Sequence, residues 1–153
     1  MKGAASPVPS RARGVGTGDA AGKERLTMSS QKPTTIADLA SLAYEDKHLN
    51  ARRALALQTD ELQVSVYEVE PGGMIPAHRH SVSWDVSLVL EGEIEARFKD
   101  GESFRSARLG PHMMNLVPPG VVHEIRNPSP DKVARFLLVQ SPGRGFDFRR
   151  EGE

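Results

Sequence analysis

The segment GGMIPAHRHSVSWDVSLVLEG, residues 72–92, decides how the rest of the chain is read. It holds His78 and His80, two of only five histidines in 153 residues, then Asp85 and an apolar run that ends in Glu91-Gly92. In an extended strand, residues i and i+2 project from the same face, with Cα atoms roughly 6.5–7 Å apart. Two imidazoles so placed can both reach one ion at the usual metal–nitrogen distance of about 2 Å. A helix would need a four-residue spacing to bring them together, so the pair predicts a strand. Asp85 follows a tight turn and opens the next strand, which is expected to pair with the first and bring the carboxylate to the same interior point. Farther on, His123 follows Pro118-Pro119-Gly120 and shares a strand face with Val121 and Ile125, offering a fourth ligand from a distant strand.

Working outward, the period of the pattern is two. ELQVSVYEVE (61–70) alternates Leu62, Val64 and Val66 against Gln63 and Ser65, as a half-buried strand does. Turn signals then recur at short intervals: PGG (71–73), EGE (91–93), DGE (100–102), LGP (109–111), PPG (118–120) and NPSP (127–130). Between them lie strand-length runs rich in Val, Ile, Leu and Phe: DVSLVL, EIEARF, HMMNLV, VVHEI and VARFLLVQ. Short strands with regular turns imply an all-β sandwich or barrel over residues 61–145. Upstream, TTIADLASLAYED (34–46) sets Ile36, Leu39, Ala40 and Ala43 on one helical face, with Thr35 and Asp38 as a capping pair. A short N-terminal helix and lead-in segment is therefore expected over residues 34–60, with NARRALALQ (50–58) readable as helix or strand. Residues 146–153, within GRGFDFRREGE, form a tail that lies over the barrel or frays.

Composition narrows the chemistry. Lys+Arg and Asp+Glu number 20 each, so no overall field draws the chain to nucleic acid or a membrane surface. There is no cysteine, which removes thiolate ligands and a Cys nucleophile and leaves imidazole and carboxylate for any metal site; it also fits a reducing, cytoplasmic setting. No apolar run approaches the roughly 18 residues a membrane span needs. Residues 1–33 are rich in Gly, Ser and Pro and poor in aliphatics, the composition of a disordered, mildly basic tail. Met28 offers an alternative start, which would make residues 1–27 an extension.

The two histidine segments together resemble a known pattern. Gly72/Gly73, His78, His80, Asp85 and Gly92 resemble the first signature of the cupin superfamily, in which Gly, His-x-His, a Glu and a Gly follow at set intervals. Gly110, Pro118, Gly120, His123 and Asn127 are similar to its second signature. The resemblance covers residues 72–127 and departs in two places: Asp85 stands where the family has Glu, and the interval from Gly110 to Pro118 is two residues longer. It implies a cupin-type double-stranded β-helix, a jelly-roll barrel, holding one divalent transition metal (Fe, Mn, Ni, Zn, Co or Cu) on His78, His80, Asp85 and His123.

The family includes dioxygenases, decarboxylases, isomerases, cyclases, lyases and non-catalytic binding members. A metal-dependent enzyme on a small oxygenated molecule is expected, with dioxygenase-type chemistry and O₂ as co-substrate first. The alternatives are a redox-neutral lyase, isomerase or cyclase, and a non-catalytic metal-stabilised binding or sensor module. Asp85 is read as a metal ligand, a general base or a partner orienting a histidine. His112 is read as a turn or rim residue or as pocket lining, Met113 and Met114 as core or pocket lining, and His48 as having no role. Val86, Leu88 and Leu90 face away from Asp85 and call for a covering layer, the N-terminal helix or the second subunit of a homodimer.

Overall fold

The computed structural model describes residues 34–152; the tail expected over residues 1–33 lies outside them. The strands, in chain order, are β1 (Glu45–His48), β2 (Ala51–Gln58), β3 (Gln63–Val69), β4 (Met74–Arg79), β5 (Trp84–Glu91), β6 (Ile94–Asp100), β7 (Ser103–Leu109), β8 (Met114–Val117), β9 (His123–Arg126), β10 (Ala134–Ser141) and β11 (Arg149–Arg150). They build two antiparallel sheets. One has six strands in the order β1-β2-β3-β10-β5-β8, the other five in the order β11-β4-β9-β6-β7. The arrangement is all-β and resembles a double-stranded β-helix.

Alternation along the strands fixes which face turns inward. On β10, Ala134, Phe136, Leu138 and Gln140 are buried, while Arg135, Leu137 and Val139 between them are half-buried. On β3, Gln63, Ser65, Tyr67 and Val69 are buried. The inward face therefore grades along the strands. Val69, Phe136, Ala134 and Val89 make an apolar end, joined by Ile75, Ile94, Leu109 and Ile125 from the other sheet. Gln63, Gln140 and Asp85 make a polar end. Burial of the apolar end supplies the hydrophobic stabilisation, and the site sits at the other.

Two glycines of the signatures are there because a side chain would not fit. A Cβ on Gly73 would lie 2.4 Å from the Asn50 carbonyl oxygen. One on Gly92, whose φ is +70°, would lie 2.5 Å from the Val133 carbonyl oxygen. Asn127, the last residue of the second signature, donates through Nδ2 to the carbonyls of Val69 (2.8 Å) and Lys132 (2.7 Å), satisfying two backbone acceptors at once.

The structure corrects two expectations. Residues 34–44 contain no helix: Asp38 instead closes a local turn, accepting the Ala40 N–H on its side chain and the Ser41 N–H on its carbonyl. Ile36, expected to face the body, is 92 % exposed, so the apolar face needed to stabilise a helix is not covered at this position among the described residues. Second, β5 does not pair with β4. The connection carrying Ser81–Ser83 crosses from the five-stranded to the six-stranded sheet, so Asp85 faces His78 across the interior. The ambiguous segment at 50–58 is strand, as β2.

Candidate metal centre

His78 on β4 stands directly opposite His123 on β9 in the same sheet. His80 follows just beyond the end of β4, on the same face as His78, and the ring centroids of the two are 5.0 Å apart. The Gly120 N–H donates to the His80 carbonyl at 2.7 Å, so the Pro-Pro-Gly turn that delivers His123 is tied to the strand carrying the other two histidines. Asp85 enters from the opposite sheet. All four residues are at most 5 % exposed, and one donor atom from each lies within 4.8 Å of the others.

Hydrogen bonding orients the rings. Nδ1 of His78 lies 2.7 Å from the Pro76 carbonyl, Nδ1 of His123 lies 3.0 Å from the Val121 carbonyl, and Nδ1 of His80 meets the Asp147 carbonyl. A carbonyl only accepts, so each Nδ1 carries the proton and each Nε2 offers a lone pair. Asp85 Oδ2 lies 3.3 Å from Nε2 of His80 and 3.4 Å from Nε2 of His123. Its Oδ1 accepts from Gln140 Nε2 at 3.2 Å and from Ser83 Oγ at 3.4 Å.

This donor set fits a transition cation. Donors about 2.1 Å from a common ion sit ~3 Å apart when adjacent and ~4 Å apart when opposed, close to the spread seen here. Three imidazoles whose second nitrogens rest on carbonyls are the arrangement that fixes metal-binding histidines. The electrostatics agree. Burial, with His123 beside it, pushes the His78 imidazole down to about 3, so that ring is neutral and able to ligate. Burial alone would raise Asp85, but its bonds to His123 and His80 outweigh this and hold the carboxyl well below the usual range. Burial likewise opposes charge on His80, yet Asp85 and the Asp147 carbonyl raise it overall.

The centre lies at a cavity of about 190 Å³ whose wall includes Tyr67, Leu138, Gln140, Phe146, Phe148 and Arg53. Phe148 stacks on His78 at 4.0 Å and 15° and on His48 at 5.4 Å, while Phe146 meets His80 edge-on at 5.4 Å. Both come from the C-terminal segment, which adds β11 to the edge of β4. That segment is pinned by Asp147, whose carboxylate accepts from the Ser81 N–H and hydroxyl at 2.7 Å each. These two bonds hold Asp147 well below the ordinary carboxylate range.

Of the residues singled out in the sequence, His78, His80, Asp85 and His123 come together. His112 does not join them: it sits in an exposed turn with φ of +70°. Met113 and Met114 are 50 % and 59 % exposed, contrary to the expected core or pocket position: Met113 lies in the turn before β8, and Met114 points outward from β8, an edge strand with no covering layer there among the described residues. Sequence reasoning missed His48, Phe146, Phe148 and Gln140. Gln140 carried a signal, a polar residue in phase with Phe136 and Leu138 of an apolar run. Phe146 and Phe148, two apart in a polar tail, carried another; His48 had none.

Comparison with known proteins agrees with the geometry. The cupin domain family pattern matches residues 65–140. A germin-like protein from Morus alba is 28 % identical over 82 residues, 52 % of this chain, which spans only 38 % of that relative's length. A Thermus thermophilus protein, TT1209, is 30 % identical, covering 70 % of this chain and 96 % of its own, with a TM-score of 0.59. A Klebsiella pneumoniae protein with a double-stranded β-helix domain is 25 % identical, covering 78 % and 100 %, with a TM-score of 0.64. Two sheets of this topology, glycine and histidine signatures in their places, and a buried His/His/Asp/His cluster capable of holding an ion make this chain a member of the cupin superfamily.

Proposed function

We propose that the protein is a metal-dependent enzyme acting on a small oxygenated molecule, with dioxygenase-type chemistry as the first reading. The observation that carries it is the convergence of His78, His80, His123 and Asp85, buried and oriented, at one cavity with largely apolar walls. A divalent transition cation held on those four side chains would supply Lewis acidity and, where redox-active, electron transfer to O₂. The chain supplies the rest. Phe146, Phe148 and Leu138 keep water from the reacting molecule, which strengthens every polar interaction inside. Asp85, kept ionised, either completes the ligand set or takes a proton from an enolisable substrate, and its Oδ2 lies beside the His80 and His123 nitrogens that would hold the ion.

We also propose a cytoplasmic homodimer. Met114, Leu116 and Trp84 are 59 %, 58 % and 46 % exposed on the outer side of the six-stranded sheet, beside half-buried Val86 and Leu88. A second copy laid on this face would cover them.

The test is O₂ uptake by Fe(II)-loaded protein against a panel of catechols, β-diketones and enediols, run beside Zn(II)-loaded protein. Uptake that needs both Fe(II) and one substrate class is the expected result. Anaerobic conversion of a substrate would point instead to a lyase, isomerase or cyclase, and tight binding without turnover to a binding module.

A further inference from the structure

Gln58 on β2, Gln63 on β3, Gln140 on β10 and Asp85 on β5 stand opposite one another, in register, across four neighbouring strands. Their side chains form one continuous run of hydrogen bonds. Gln58 Nε2 donates to Gln63 Oε1 at 2.9 Å, Gln63 Nε2 to Gln140 Oε1 at 3.0 Å, and Gln140 Nε2 to Asp85 Oδ1 at 3.2 Å. Gln63, Gln140 and Asp85 are 5 %, 5 % and 4 % exposed, so bulk water is no substitute for these partners.

The direction of the run is forced. An ionised carboxylate only accepts, so Gln140 must turn its nitrogen toward Asp85. Its oxygen is then left facing Gln63, which must answer with nitrogen, and the same logic passes to Gln58. The outer end is anchored, because Gln58 Nε2 also donates to the Gly143 carbonyl at 3.1 Å. Turning over the Gln63 or the Gln140 amide would set oxygen against oxygen or nitrogen against nitrogen in a buried place, where an unmade hydrogen bond is most costly.

An aspartate has one rotatable bond fewer than the glutamate of the family pattern, so where Oδ2 sits depends on what holds Oδ1. On the metal-centre reading above, we infer that Gln63 is a positioning residue for that centre. It makes no hydrogen bond to His78, His80, Asp85 or His123, yet it locks the Gln140 amide and thereby ties Asp85 Oδ1 back, leaving Oδ2 turned to the imidazole nitrogens.

The test is Co(II) titration of the metal-free full-length protein, followed by its visible absorption bands and by a competing chelator. Two variants are compared with the unaltered protein. Gln63→Glu places an acceptor-only group beside Gln140 Oε1, and Gln63→Leu removes the donor without adding charge; if the buried carboxylate prevents folding, the leucine variant carries the test. Each folded variant is expected to bind Co(II) about 10- to 100-fold more weakly, the usual effect of losing an outer-shell partner, with altered band position or intensity. Unchanged affinity and spectrum, even with a lowered melting temperature, would make Gln63 merely structural and overturn the inference. Failure of the unaltered protein to bind Co(II) would instead remove the metal-centre reading, and the inference with it.

Discussion

Asp85 is shorter by one methylene than the glutamate usual at its position, yet its Oδ2 comes within 3.4 Å of two imidazole nitrogens. It reaches them because its strand lies in the opposite sheet and points straight across the interior. Asp85→Asn keeps an oxygen for the Gln140 N–H and so keeps the side chain in place, but it removes the charge and the proton-accepting capacity. Retained metal with turnover lowered by about 10²- to 10⁴-fold, the range for loss of a general base, is the expected outcome, checked by elemental analysis beside a turnover assay. Activity that survives the change would take the base role from Asp85. The three histidines were legible in the sequence because their geometry is local: a two-residue spacing on a strand, and a turn immediately before His123. The origin of Asp85's strand was not, since successive strands usually pair and nothing in Ser81–Ser83 announces a change of sheet.

At the scale of elements, β5 and β10 were readable because each has one buried and one outward face, whereas β3 was legible as a strand but not in its facing, since polar Gln63 and Ser65 are buried, Leu62 is 37 % exposed and Val66 is buried as well. β7 was not, for its residues Ser103–Arg108 are exposed or half-buried and carry no apolar period. The helix expected over residues 34–46 failed for a related reason: an apolar stripe specifies a helix only where another surface covers it. β11 is a two-residue strand, too short for any periodicity, and yet it seats Phe148 on His78. Phe148→Ala removes that stacked ring, itself 39 % exposed, and should lower stability by about 1–2 kcal/mol. It should also speed release of bound metal to a chelator, since the ring helps screen His78 from solvent. Chemical denaturation and stopped-flow chelation measure the two effects; an unchanged release rate would deny the C-terminal segment its part in the centre.

The described residues form two facing sheets whose interior changes from apolar to polar along the strands, and this gradient separates what holds the fold from what serves the site. The outer face of the six-stranded sheet bears on assembly. Leu116→Glu places a charge where Leu116 is 58 % exposed, so it should leave the fold intact while shifting a dimer to monomer in sedimentation equilibrium. A monomer before the change, or a dimer unaffected by it, would move the interface elsewhere. A metal centre here requires His78, His80 and His123 to share one ion. The most direct measurement is X-ray absorption at the metal edge, with elemental stoichiometry, on protein purified without added metal. The expected result is about one transition ion per chain with imidazole nitrogens in its inner shell, lost in the His78→Ala/His123→Ala variant. Trace metal in the unaltered protein, or the same shell and stoichiometry in the double variant, would contradict it.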